Sequence, residues 1–176
     1  MSEYKTILVH YDNGKAAPAR LDIGIELAST FGAHLACLYA LKYEPMLSAA
    51  VEAREVLLEA QRRRWAEDLR DARHEYDECL RRTGFDRAEW RASTADVLDA
   101  VTLHARYSDL VVIGQQNPDW DSGVGKDFER SLPIAVGRPV LVVPYAFERR
   151  PIGQRVLVAW NASREAARAV DRKSVV

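Results

Sequence analysis

Directly behind the first apolar run of this chain, Thr6-Ile7-Leu8-Val9-His10-Tyr11, stands an aspartate, Asp12. A carboxylate at the carboxyl end of a strand can accept a hydrogen bond from a nucleobase or a ribose hydroxyl; together with Asn13 it can equally close a turn. A second polar concentration runs from Gly114 to Asp127, again behind an apolar run, and is long for a connection from strand to helix. That position suits either a ligand loop or a plain surface loop. Its Gly123-Val124-Gly125-Lys126 has the ending of a phosphate loop, but the full pattern needs Gly at 120 and Ser or Thr at 127, where Trp120 and Asp127 stand. No Gly-x-Gly-x-x-Gly follows the first run, so a dinucleotide enzyme is unsupported.

The remaining reactive residues form no constellation. His10, His34, His74 and His104 are scattered without metal-ligand spacing, and no Gly-x-Ser-x-Gly nucleophile elbow occurs. The two cysteines, Cys37 and Cys79, lie one in an apolar run and one in a helical pattern, so both are expected as packed thiols without a disulfide or metal role. A net charge of -1 lacks the basic excess that phosphate neutralisation requires, so nucleic acid is not an expected partner. Arg62-Arg63-Arg64 is offset by Glu59, Glu67 and Asp68 and reads as a solvated helix face. Neither a signal-peptide core nor a membrane-spanning run is present, and a cytoplasmic location is expected.

The elements that must position Asp12 and the loop follow from periodicity. Apolar runs at 6–11, 34–41, 109–114 and 139–144, with a weaker one at 87–92, alternate with helical patterns at 16–31, about 48–82 and 94–107. Residues 110–113 and 140–143 carry no polar alternation, the pattern of parallel strands buried on both faces. Gly32 is placed to end the first helix, and Thr94 or Ser93 to cap the third. On the longest helix Leu58, Trp65, Leu69, Ala72, Tyr76 and Leu80 form a stripe expected in the core. The fold class is α/β: an open parallel five-stranded sheet with helices on both faces, Rossmann-like.

Near the end the pattern recurs. Arg155-Val156-Leu157-Val158-Ala159-Trp160-Asn161 repeats residues 6–12 at an offset of 149, and both are followed by small-residue helix openings. The expected organisation is a domain over 1–147, a linker at 148–154 with Pro151 and Gly153, and a strand-helix fragment over 155–176 that begins a second, incomplete copy. Such a fragment cannot bury a core alone, so residues 156–160 are expected to pair with a sheet edge, that of this chain or of a neighbouring one, and bury Trp160.

Taken together, residues 7–12, Ser108-Asp109-Leu110-Val111-Val112-Ile113-Gly114 and Gly137-Arg138-Pro139-Val140-Leu141-Val142-Val143-Pro144 resemble the universal stress protein family over about residues 3–147. The tail is similar to the opening of the second copy in tandem members. The resemblance implies an adenine-nucleotide hydrolase-like fold and a homodimer joined through the edge strand Pro139, Val140, Leu141, Val142 and Val143. In nucleotide-binding members the loop runs Gly, two residues, Gly, nine residues, then Gly with Ser or Thr. Gly114 fits, but Asn117 and the pair Asp127-Phe128 do not. The carboxylate of Asp127 has the wrong sign for a phosphate, and with Asp119 and Asp121 nearby the loop is expected not to hold ATP in the usual way. The expected role is regulatory or stress-responsive, without catalysis or cofactor, acting through a dimer or a protein partner. The alternative is an ATP-binding protein using Asp12, Leu41 and Gly114, with Ser122, Gly123 and Gly125 rebuilding a backbone nest. An enzyme of the nucleotide hydrolase type would need a base and metal ligands that the sequence does not present.

Overall fold

A computed structural model of the chain describes residues 4–41, 51–117, 119, 123–125, 127–148 and 151–171. Five strands alternate with helices in the order β1 (Thr6–Tyr11), α1 (Ala17–Phe31), β2 (His34–Ala40), α2 (Val51–Thr83), β3 (Ala88–Ser93), α3 (Val97–Ala105), β4 (Leu110–Gly114), α4 (Phe128–Val136), β5 (Val140–Val143) and α5 (Arg164–Asp171). The strands form one parallel sheet in the order β3-β2-β1-β4-β5. The order in which strands are added reverses between β1 and β4, while all run parallel, which opens a crevice at the carboxyl ends of those two strands.

Alternation on β1 assigns the two faces. Ile7, Val9 and Tyr11 pack under α1 and α2, whereas Leu8 turns to the α3 and α4 side with Val101, Val111, Ile113 and Leu132. Burial on both faces is why β1, β2 and β4 read as uninterrupted apolar runs. Asp109 fixes the register at the amino ends: its Oδ2 accepts from the backbone N–H of Lys5 at 2.8 Å and of Thr6 at 3.0 Å. Helix α1 lies close to β1 because position 24 is glycine; a Cβ there would stand 2.4 Å from Val9 Cγ2. Gly32 ends α1 in the left-handed conformation at φ 67°, and the next N–H, of Ala33, returns to Ala28 C=O at 2.8 Å.

The expected open parallel five-stranded sheet with helices on both faces is the observed one, each expected strand agreeing within a residue at either end. Several details differ. Asp96, not Thr94 or Ser93, caps α3, its carboxylate accepting from Leu98 and Asp99 N–H, while Ser93 closes β3 and turns its Oγ to Ala95 N–H. Helix α4 is unforeseen in the sequence because Pro133 sits inside it and a polar loop precedes it. The α2 stripe is buried at Ala72 and Tyr76 and half-buried at Trp65, Leu69 and Leu80, but Leu58 is 38% exposed, since the helix runs past the sheet it covers. Strand β5 lies at the sheet edge with Val142 also 38% exposed, unlike the buried β4. Both cysteines are buried free thiols, as expected.

The tail departs most from expectation. Residues 155–163 form no strand, and Leu157 is 95% and Trp160 54% exposed, so the anticipated pairing and burial of Trp160 do not occur within the chain. A parallel strand added beside β5 needs a crossover, usually helical, and the described residues between Val143 and Val156 contain none. Only α5 retains its local structure, with Ser163 Oγ accepting from Ala166 N–H at 3.1 Å.

Candidate functional site

The crevice at the β1/β4 reversal is lined by Asp12, Gly14, Lys15, Arg20, Gly114, Gln116, Gly125, Phe128, Glu129 and Tyr145, among others. Of the residues singled out in the sequence, it gathers Asp12, Gly114 and Gly125. Leu41 and Gly123 lie beside each other outside it: Leu41 Cδ2 would be 3.0 Å from a Cβ at position 123, where φ is 74°. Ser122 falls outside the described residues. Asp127 is exposed and does not line the crevice, so the repulsive carboxylate expected there is elsewhere.

Asp12 ends up in both of the roles open to a carboxylate after a strand, but each is filled from within the chain. Its Oδ1 accepts from Gly14 N–H at 2.8 Å, a turn contact. Its Oδ2 lies 2.9 Å from Arg20 Nη2. The neighbouring loop is steadied by Tyr39, whose hydroxyl donates to Asn13 Oδ1 at 3.0 Å. Burial by itself would raise the Asp12 carboxyl, yet Arg20, His10 and the Gly14 N–H together hold it below the usual range.

Arg20 is the residue that sequence reading missed. It comes off the second turn of α1, on the same buried stripe as Ala17, Leu21 and Gly24, and is only 2% exposed. Its Nε donates to the backbone C=O of His10 at 2.7 Å, and its Nη1 lies where a side chain on Gly114 would begin, 1.8 Å from a Cβ built there. Glycine at 114 therefore serves the approach of an arginine of the same chain. The one signal available beforehand was a charged residue within an apolar helical stripe, and a buried charge requires a nearby partner.

His10 completes the inner wall. Its Nε2 lies 2.9 Å from Ala40 C=O, which can only accept, so Nε2 carries the proton and Nδ1 presents its lone pair. Nδ1 lies 3.9 Å from Asp12 Oδ2. Among the described residues neither His10 Nδ1 nor Arg20 Nη2 has a directed hydrogen bond. The ring packs 5.1 Å from Phe128. Burial outweighs the attraction of Asp12 and lowers the imidazole pKa to about 4, so at neutral pH this histidine is an uncharged wall group.

The crevice has a cavity volume of about 40 Å³. Arg20 lies over Gly114, and both Asp12 oxygens are engaged within the chain. Among the described residues no group of His, Cys, Asp and Glu could hold a metal ion, and no helix is long and apolar enough to cross a membrane.

Fold and crevice together define a class: a small doubly wound α/β domain with a crevice at the β1/β4 switch point. Residues 3–119 match the universal stress protein family, and the chain belongs to it. Among solved structures, the universal stress protein UspA from Lactobacillus plantarum is 21% identical, with 81% of this chain and 99% of that one covered and a TM-score of 0.65. A universal stress protein in complex with cAMP is 19% identical, covering 82% and 100%, with a TM-score of 0.55. One from Burkholderia pseudomallei is 23% identical, covering 82% and 98%, with a TM-score of 0.53. At these identities the likeness concerns the fold. Among curated proteins, none matches.

Proposed function

We propose that this chain is a stress-response or regulatory domain that works without nucleotide turnover and acts in the cytoplasm through contacts with a second copy of itself or another protein. The observation that carries this reading is Arg20: its guanidinium fills the approach to Gly114 and pairs with Asp12, the two positions a nucleotide would need free. Dimerisation through Pro139, Val140, Leu141, Val142 and Val143 is supported by the open outer edge of β5 and by the exposure of Val142. Residues 155–176 are the start of a second copy, supported by the repeat of residues 6–12 and by the Ser163-capped helix behind it.

A second reading, an adenine-nucleotide-binding protein using Asp12 and the 114–126 loop, is favoured by one observation: a protein of the same fold has been solved in complex with cAMP. Thermal unfolding with and without ATP and magnesium separates the two. A ligand at 100 times its dissociation constant adds about 2.7 kcal/mol. No shift is expected, and a clear shift with ATP would replace the first reading with the second.

A further inference from the structure

The loop behind β4 is fastened from inside. The backbone N–H of Gln116 donates to Glu129 Oε2 at 2.7 Å, and the Gln116 side-chain Nε2 donates to Val124 C=O at 3.0 Å. Val124 is itself buried in the core under α3 and α4, so the far end of the loop is anchored as well as the near one. Glu129 stands in the first turn of α4, where the helix amides favour a negative charge. Backbone N–H groups just past a strand are the groups with which such a loop holds an anion. At Gln116 the anion is a side chain of the same protein.

We propose that Glu129 determines the specificity of this crevice: its carboxylate occupies the Gln116 amide, latches the loop onto α4 and excludes phosphate and other anions. The inference rests on the reading that the crevice is closed to nucleotides and names the residue that closes its loop side, as Arg20 closes its strand side. Among the described residues four charged ones line the space, Asp12 and Glu129 against Lys15 and Arg20. Removing the charge of Glu129 leaves two cations facing one carboxylate, which turns a balanced lining into a net positive one for an incoming anion. Asp127 cannot take this part, because it is exposed and outside the crevice.

The test follows the Gln116 amide by NMR in the wild-type protein, E129Q and E129A, measuring its hydrogen exchange and its response to inorganic phosphate and pyrophosphate. In E129A the amide exchanges about ten- to a hundredfold faster, because a hydrogen bond to a charged acceptor is lost. In E129Q its signal moves on phosphate addition, whereas in the wild type it does not. Unchanged exchange in E129A, an equal response in wild type and E129Q, or no response in either overturns the proposal. If E129A does not fold, E129Q decides through its phosphate response, since the amide side chain keeps an acceptor oxygen. The outcome is separable from the function proposed above: an ATP-induced thermal shift of the wild type would overturn that function, and the Gln116 amide reports on Glu129 alone.

Discussion

Arg20 Nη2 and Asp12 Oδ2 lie 2.9 Å apart with both side chains almost wholly buried, so one ion pair stands in the crevice at the β1/β4 switch point. Breaking such a pair from one side strands the other charge, at about 3–5 kcal/mol. Arg20→Met is therefore expected to destabilise the domain by about 3 kcal/mol in urea unfolding at neutral pH, with part recovered by adding Asp12→Asn. The Asp12 pKa is depressed in the folded state, so its contribution is complete above the ordinary value of 3.8 and is lost as pH falls below that through the lowered value. A variant as stable as the wild type would show that the pair is not holding the crevice.

His10 gives a second, separate pH window. Its folded pKa is about 4 against 6.5 for a free imidazole, so below 6.5 the unfolded chain takes up a proton that the folded chain does not. The unfolded state binds more protons there, and stability falls as pH drops from 6.5 towards 4, by about 3 kcal/mol in all. His10→Gln, whose Nε2 keeps an N–H for Ala40 C=O, should flatten this stretch of the stability curve. A slope identical to that of the wild type would assign the loss to other groups.

Gly24 sets two effects against each other. Alanine improves helix propensity by about 1 kcal/mol, yet its Cβ would meet Val9 Cγ2 at 2.4 Å and Leu35 Cδ1 at 3.2 Å. Val9 and Leu35 are core strand residues with no room to retreat, and overpacking costs about 1–3 kcal/mol. Gly24→Ala is expected to lower the urea midpoint, the steric cost winning. A raised midpoint would mean that α1 can lift from the sheet.

At the β5 edge, Val142→Lys tests association without disturbing the core, because this side chain is partly exposed. Monomer stability should change by no more than about 0.5 kcal/mol. Light scattering should find the wild type as a dimer and the variant as a monomer. A monomeric wild type, or a variant that stays dimeric, removes β5 as the interface.

Much of the fold was legible because its signals are local. β1, β2 and β4 announced themselves as apolar runs, since a parallel strand covered on both faces tolerates no alternation. Gly32 and the α1 stripe marked one helix and its end. The α4 helix was hidden by Pro133, and the Asp96 cap by the equally suitable Ser93 and Thr94 beside it. Exposure along α2 could not be read either, since a stripe shows which face is apolar but not how far the sheet beneath it extends.

The site divides along the same line. Residue order alone placed Asp12 and Gly114 at the carboxyl ends of β1 and β4, because strand periodicity and the switch point follow from the chain itself. It did not reveal what fills the space between them. Arg20 reaches it from α1 and Glu129 from α4, and neither spacing nor residue type records that two helices from opposite faces of the sheet deliver a cation and a carboxylate to one crevice. Asp127, the last residue of the loop, was expected to supply the negative charge. Tertiary packing turned it outward and gave that part to Glu129, two positions further along the helix, because direction around an α-helix decides what a side chain meets.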